Sequence, residues 1–232
     1  MKLAVQLLFF FSMSFALSGC TQNTQSLIDS FDLAFLGPES MTISKSTVDE
    51  LPYASIMVTH GNNPPALMVL AWAEESSLLS PSNSPALKYL SANHEMIVIA
   101  SGRIIKTVNL LEQNLSSIHS LQSDPLALGL HHASTPHHWE YDISWRPGYY
   151  LRYTAQSRFI IEGEVEKQLP FGSQRLLHVI EKVSIPKINH HYTNHYWLEP
   201  SNGQVVASEQ TPAPGMARIE LIVTKPFSGK SE

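Results

Sequence analysis

Trp139-Glu140-Tyr141-Asp142-Ile143-Ser144-Trp145 decides the fold class. Apolar rings or branched chains stand at every odd position and polar residues at every even one. A period of two is that of an extended strand with one face on a core and one toward water, whereas a helix repeats at about 3.6 residues. The alternation resumes after Pro147-Gly148, where Tyr149, Leu151, Tyr153, Ala155, Phe159 and Ile161 interleave with Arg152, Thr154, Gln156, Arg158 and Glu162. Leu177, Val179, Val183 and Ile185 extend it, and Ala217, Ile219, Leu221 and Val223 make a last strand.

Outward from this stretch, turn signals link strand to strand. Met96–Ala100 and Arg103–Leu110 flank Ser101-Gly102, a two-residue link that reads as a hairpin. Tyr192–Leu198 and Gln204–Ser208 flank Pro200-Ser201-Asn202-Gly203, a second hairpin. Tyr53–His60 reads as a strand, Gly61-Asn62-Asn63-Pro64-Pro65 as a turn, and Ala66–Ala73 as a strand covered on both faces. Ser80 to Pro85 is a loop, and Leu111 to Pro136 reads as a short helix plus irregular chain. The expected fold is all-β and mainly antiparallel, about nine strands in one large meander sheet curved into a partial barrel. One or two short helices precede it. Leu27, Phe31 and Phe35 mark one over Ser26–Phe35, stopped by Gly37-Pro38; the other runs from Ser46 as N-cap to Leu51, where Pro52 ends it.

The N-terminus carries Met1, the single charge Lys2, an apolar run from Leu3 to Leu17, and then Ser18-Gly19-Cys20. This is the layout of a secretory signal peptide. A membrane-spanning helix needs about 20 apolar residues, and this run is shorter and broken by Gln6, Ser12 and Ser14. Leu17-Ser18-Gly19-Cys20 resembles a bacterial lipobox, and Cys20 is the one cysteine of the chain. The resemblance implies lipidation of the Cys20 thiol, cleavage before it and acylation of the new N-terminus. Several acyl chains make a lasting anchor. Thr21 follows rather than Asp, which by resemblance to lipoprotein sorting in diderm bacteria implies the periplasmic face of the outer membrane. The expected organisation is a signal peptide over 1–19, then lipidated Cys20, tether and short helix over 20–36, then one β-rich periplasmic domain over 37–232.

Composition narrows the function classes. The chain has 232 residues, 43% hydrophobic and 15% charged, with a formal net charge of −5. A domain of that length buries a sufficient core without disulfides, which a single cysteine cannot form within the chain anyway. It is neither a disordered tail nor a basic nucleic-acid binder. Mild acidity argues against electrostatic docking on anionic lipid, so the acyl chains would supply the membrane attachment.

Candidate chemistry is sparse. Eleven histidines include His131-His132 with His137-His138, and His190-His191 with His195. Imidazole ligates Zn²⁺ or Cu²⁺ when three or four nitrogens converge. The first group, in an expected loop, supplies the candidate ligands; in the second, His191 and His195 would stand about 13 Å apart on a regular strand. The preferred reading is solvent-facing loop histidines, with no metal and no cofactor. Glu162, Glu164 and Glu166 fall at i, i+2, i+4 and read as a solvated strand face rather than a glycosidase pair. G-x-S-x-G, H-E-x-x-H and Gly-rich phosphate loops do not occur. Among the aromatics, Trp139, Tyr141 and Trp145 share the apolar parity and belong to the core. Tyr150 and Trp197 fall on the polar parity and are the candidates for exposed contacts to glycan or a partner protein.

Several short stretches, in order, are Leu51-Pro52-Tyr53, Ser101-Gly102-Arg103-Ile104-Ile105-Lys106-Thr107-Val108, Asp124-Pro125-Leu126 and Trp139…Asp142-Ile143…Trp145. Tyr196-Trp197…Gly203-Gln204-Val205 and Thr224-Lys225-Pro226 follow. With the lipobox and tether, their order and spacing resemble the YjbF/GfcB lipoproteins of exopolysaccharide and group 4 capsule operons, over nearly the whole mature chain. The resemblance implies an all-β meander sheet and a role in secreting or assembling surface polysaccharide. It brings no catalytic residue. The expected function is a non-catalytic, membrane-anchored lipoprotein that binds glycan or other proteins of the same operon. The alternatives are a periplasmic polysaccharide-modifying or hydrolytic enzyme, and a pure protein-interaction scaffold.

Overall fold

A computed structural model describes residues 44–75 and 85–229. The signal segment, lipobox, tether and 26–35 helix expected from the sequence all lie outside the described residues. The rest is built from strands, twelve rather than about nine: β1 (Ser55–His60), β2 (Ala66–Glu75), β3 (Pro85–Leu90), β4 (Met96–Ala100), β5 (Arg103–Val108), β6 (Asn114–His119), β7 (His138–Arg146), β8 (Tyr150–Leu169), β9 (Gly172–Ile185), β10 (His190–Leu198), β11 (Val205–Gln210) and β12 (Ile219–Lys225). All pair antiparallel in one sheet ordered β5-β4-β3-β2-β1-β12-β11-β10-β9-β8-β7-β6. Each strand pairs with its sequence neighbour except β5 with β6, and the first also pairs with the last. The result is a nearly closed up-and-down barrel.

Closure falls between β5 and β6, where side chains replace a ladder. Thr107 Oγ1 accepts the Leu115 N–H at 2.9 Å, and Asn114 Oδ1 accepts the Leu110 N–H at 3.1 Å. Asn114 Nδ2 donates to the Leu110 carbonyl at 3.0 Å. These bonds satisfy backbone groups that an open sheet edge would leave unpaired.

The strand at 139–145 behaves as its alternation requires: Trp139, Tyr141 and Trp145 are 3% exposed and Ile143 is fully buried. They join Ile56, Ile97, Ile104, Leu115, Phe159, Val179, Tyr196 and Leu221 in one core on the inner face. The Ser101-Gly102 hairpin is present, with φ of 48° and 84°. Positive φ at both residues is the mark of a turn whose twist matches the strands.

Two strands escaped the sequence reading. β3 opens with Pro85, tolerated as a first strand residue but expected from the sequence to close a loop. β6, Asn114-Leu115-Ser116-Ser117-Ile118-His119, carries only two apolar residues, and a register shift between Leu115 and Ser117 breaks their alternation. Three further expectations need correction. The first described helix, α1 (Lys45–Glu50), is capped by Ser44 rather than Ser46: Ser44 Oγ accepts the Thr47 N–H at 3.1 Å. The chain over 111–136 contains β6 as well as the short helix α2 (Pro125–Leu128), which Asp124 caps. Finally, a bulge between Ile161 and Gly163 flips the parity of β8, so Glu162 does not share a face with Glu164 and Glu166 as strict alternation implied.

Antiparallel order fixes the rims. Ser55 pairs with Lys225, so β1 begins and β12 ends on one rim, called here the entry rim. The turns at 101–102 and 200–203 and the β6–β7 connection open on that same rim.

Candidate functional site

Beneath the entry rim, the barrel interior holds an ion network. Arg103, at the start of β5, is 2% exposed, and Asp124 and Glu181 are fully buried. Arg103 grips Asp124 with two bonds, Nε to Oδ2 at 2.5 Å and Nη2 to Oδ1 at 3.2 Å. Its Nη1 lies 3.0 Å from Glu181 Oε1 and donates to Tyr196 Oη at 3.3 Å. Glu181 also accepts from Ser157 Oγ at 2.6 Å, Asn194 Nδ2 at 2.8 Å and Tyr196 Oη at 2.9 Å. The guanidinium lies 4.6 Å from the Trp139 ring centroid.

Burial alone would raise the Glu181 carboxyl, but Arg103 and the donors around it hold it below the ordinary value. Burial would equally lower Arg103, and its two carboxylates reverse that and drive it upward. Desolvation raises the Tyr196 hydroxyl well above its usual range. Asp124 also accepts the Leu126 N–H at 3.0 Å, so the same carboxylate that pairs with Arg103 starts α2. From β11, Gln210 Oε1 accepts the Ile104 N–H at 3.0 Å and Gln210 Nε2 donates to the Gly102 carbonyl at 2.8 Å. These contacts lock the β4–β5 turn to the far wall. The network is saturated with partners and faces inward, which suits a rigid strut better than a reaction centre.

On the outer face, a groove of about 460 Å³ runs across β7–β10. His138, Arg158, Lys182 and Thr193 stand in register as one row across the four strands. Gln156, Ser184 and His191 form the next row. Arg158, Lys182, His138, His191 and Gln156 are exposed, and no acidic residue lines the groove. Glu140 lies just beyond it and accepts from Gln156 Nε2 at 3.2 Å.

Beside the groove is a cluster that the sequence reading missed. His178 Nε2 and His195 Nδ1 approach to 3.1 Å, and both rings stack with Trp197. Lys167 Nζ lies 3.5 Å from the Trp197 ring centroid. Desolvation, then the neighbouring His195, lowers the His178 pKa. The pair joins β9 to β10 across their register, and His178 stands outside the runs of histidine that draw the eye. Trp197 does face away from the main core, as its parity implied. It is 8% exposed, however, because Lys167, Leu169, Leu176 and Ala207 cover it, so it does not present an open ring face. Tyr150 is 40% exposed and stacks on Trp145 at 4.6 Å.

The four histidines named as candidate ligands do not come together. His131 and His132 pack ring to ring at 3.7 Å in the entry-rim loop, with His131 against Gly203. His138 points into the outer groove, and among the described residues no group of three or more His, Cys, Asp or Glu is arranged for a metal ion. Glu164 is held by Arg175 at 2.6 Å. Cys20 lies outside the described residues, and no helix among those described is long and apolar enough to cross a membrane.

The family model described as group 4 capsule polysaccharide lipoprotein gfcB, YjbF matches residues 28–223, and the chain belongs to that family. It is 28% identical over 214 residues to the Escherichia coli (strain K12) uncharacterized lipoprotein GfcB, covering 90% of this chain and 94% of that one. It is 27% identical over 198 residues to the uncharacterized lipoprotein YjbF of the same organism, covering 84% and 85%. The crystal structure of the hypothetical lipoprotein YmcC from Escherichia coli (K12) has the same fold, with a TM-score of 0.70 at 23% identity over 86% of this chain and 96% of that one. The residues whose order carries the family resemblance meet in space. Arg103, Asp124 and Tyr196 build the ion network, while Lys225 Nζ donates to the carbonyls of Asp49 and Leu51.

Proposed function

We propose that this chain is a lipoprotein anchored through Cys20 to the periplasmic face of the outer membrane, where it supports secretion or assembly of a surface polysaccharide. It does so by holding glycan or partner proteins of the same operon, without chemistry of its own. The observation that carries the reading is the family match over residues 28–223, joined to Leu17-Ser18-Gly19-Cys20 at the N-terminus. The structure supports a binding role in two respects. The buried charges are spent on one another, and the outer groove offers cations, hydroxyls and an amide on a rigid sheet. Deleting the gene in its own host should reduce the amount or chain length of surface polysaccharide, measured by extraction and size fractionation. Wild-type chain should restore it, and Cys20→Ser, made in equal amount but released from the membrane, should not. Unchanged polysaccharide in the deletion strain would sink the proposal.

A further inference from the structure

We propose that the outer groove across β7–β10 binds an acidic polysaccharide through its sugar carboxylates, with Arg158 and Lys182 as the pairing cations. This rests on the polysaccharide role proposed above and names the glycan class.

The sheet itself supplies the argument. Arg158 and Lys182 are directly opposite each other on β8 and β9. Like charges at facing positions of an antiparallel pair destabilise it. On the same outer face Arg152 pairs with Asp142 at 2.9 Å and Arg218 with Glu209 at 3.1 Å. Arg158 and Lys182 have no ion pair among the described residues, although the chain carries a net charge of −5. An anion between them removes the repulsion and completes two charge-assisted hydrogen bonds.

The neighbours define the rest of the ligand. His138 and Thr193 extend the row on either side, and Gln156 and Ser184 border it with one amide and one hydroxyl. Such groups match sugar hydroxyls. Strands stand about 4.8 Å apart, a spacing close to the advance of one pyranose in an extended chain, so a polymer laid across the strands meets one strand per sugar. An acidic peptide fits less well. β8 and β9 are both paired on either side, so no backbone edge is open for strand addition.

The test titrates full-length protein, extracted in detergent, with tetragalacturonate, with tetramannuronate, and with the methyl ester of each as a neutral control. At least one free acid should bind, more weakly as salt rises, and its ester about ten-fold more weakly or not at all. Arg158→Gln/Lys182→Gln should lose about ten-fold, while Lys106→Gln, an exposed cation on β5, should change nothing. The double variant should keep its urea midpoint or raise it, because like charges have been removed. No binding of either acid, equal binding of acid and ester, or an unaffected double variant would each overturn the inference. So would binding only to phosphatidylglycerol vesicles, which would make a lipid headgroup the occupant. Polysaccharide output of the deletion strain separates the two levels. If the wild-type gene restores it while the titrations fail, the groove assignment alone is lost; if deletion has no effect, the secretion role is lost whatever binds.

Discussion

Arg103 carries a full charge into a wall of aromatic rings, and two carboxylates hold it there. Removing one member of a buried ion cluster strands the others, which costs about 3–5 kcal/mol, whereas replacing paired members together is far milder. Arg103→Met should therefore lower stability by about that amount in urea unfolding. Arg103→Met/Glu181→Met should recover part of the loss by removing one stranded carboxylate, and only part because Asp124 stays buried without its cation. Glu181 also sets an acid limit. Its folded pKa lies below the unfolded one, so its contribution is complete above the ordinary carboxylate range and is lost as pH falls through the depressed value. Glu181→Gln should flatten that limb of the stability–pH curve. His178 and His131, both also lowered, act in the same direction at higher pH: stability should begin to fall as pH drops below about 6.5, and His178→Gln should weaken that onset. None of these partnerships was legible in the sequence. Arg103 and Glu181 lie 78 positions apart, and only the barrel's register brings them together.

Elements differ in how openly the sequence declares them. The β4–β5 hairpin was legible because Ser101-Gly102 permits positive φ at both turn residues. β7 was legible because one face is pure core and the other polar. β6 was not, because only Leu115 and Ile118 reach the core and the register shift between Leu115 and Ser117 breaks their alternation. Thr107 Oγ1 there serves the Leu115 N–H. Thr107→Val should leave that donor buried and unpaired, at a cost of about 1–3 kcal/mol. Hydrogen exchange should show protection lost first at β6. The β10–β11 turn is constrained by contact as well as conformation. Gly203 has φ of 72°, and a Cβ there would come within 2.1 Å of His131 Nδ1. Gly203→Ala should displace the His131 loop and lower the thermal midpoint, with the effect on NMR shifts centred on His131 and His132. Pairings such as Arg158 with Lys182 were hidden for another reason: alternation assigns a residue to a face but not to a facing partner.

At the scale of the molecule, β1 has β2 on one side and β12 on the other, so the sheet is whole only when both ends of the chain are in place. Truncation before Ile219 should expose the edges of β1 and β11 and yield aggregates, seen as early elution by size-exclusion chromatography. The family motifs concentrate at the entry rim, where Lys225 holds the carbonyls of α1 and Arg103 holds the loop that starts α2. Their order along the chain was visible before their purpose was, since order in sequence says nothing of a shared end in space.

The meeting of Ser55 and Lys225 has a practical consequence. In topological terms the chain, though not the sheet, is a ring that happens to be cut between its first and last strands. The cut is therefore movable. A short flexible linker joining the two ends, with new termini opened in the exposed turn at Asn62-Asn63, preserves the order of every ladder. Such a permutant should fold with an unchanged circular-dichroism spectrum, and it would carry any N-terminal graft to the opposite rim. Comparing an anchor grafted there with one on the entry rim would show whether the role proposed above depends on which rim is tethered.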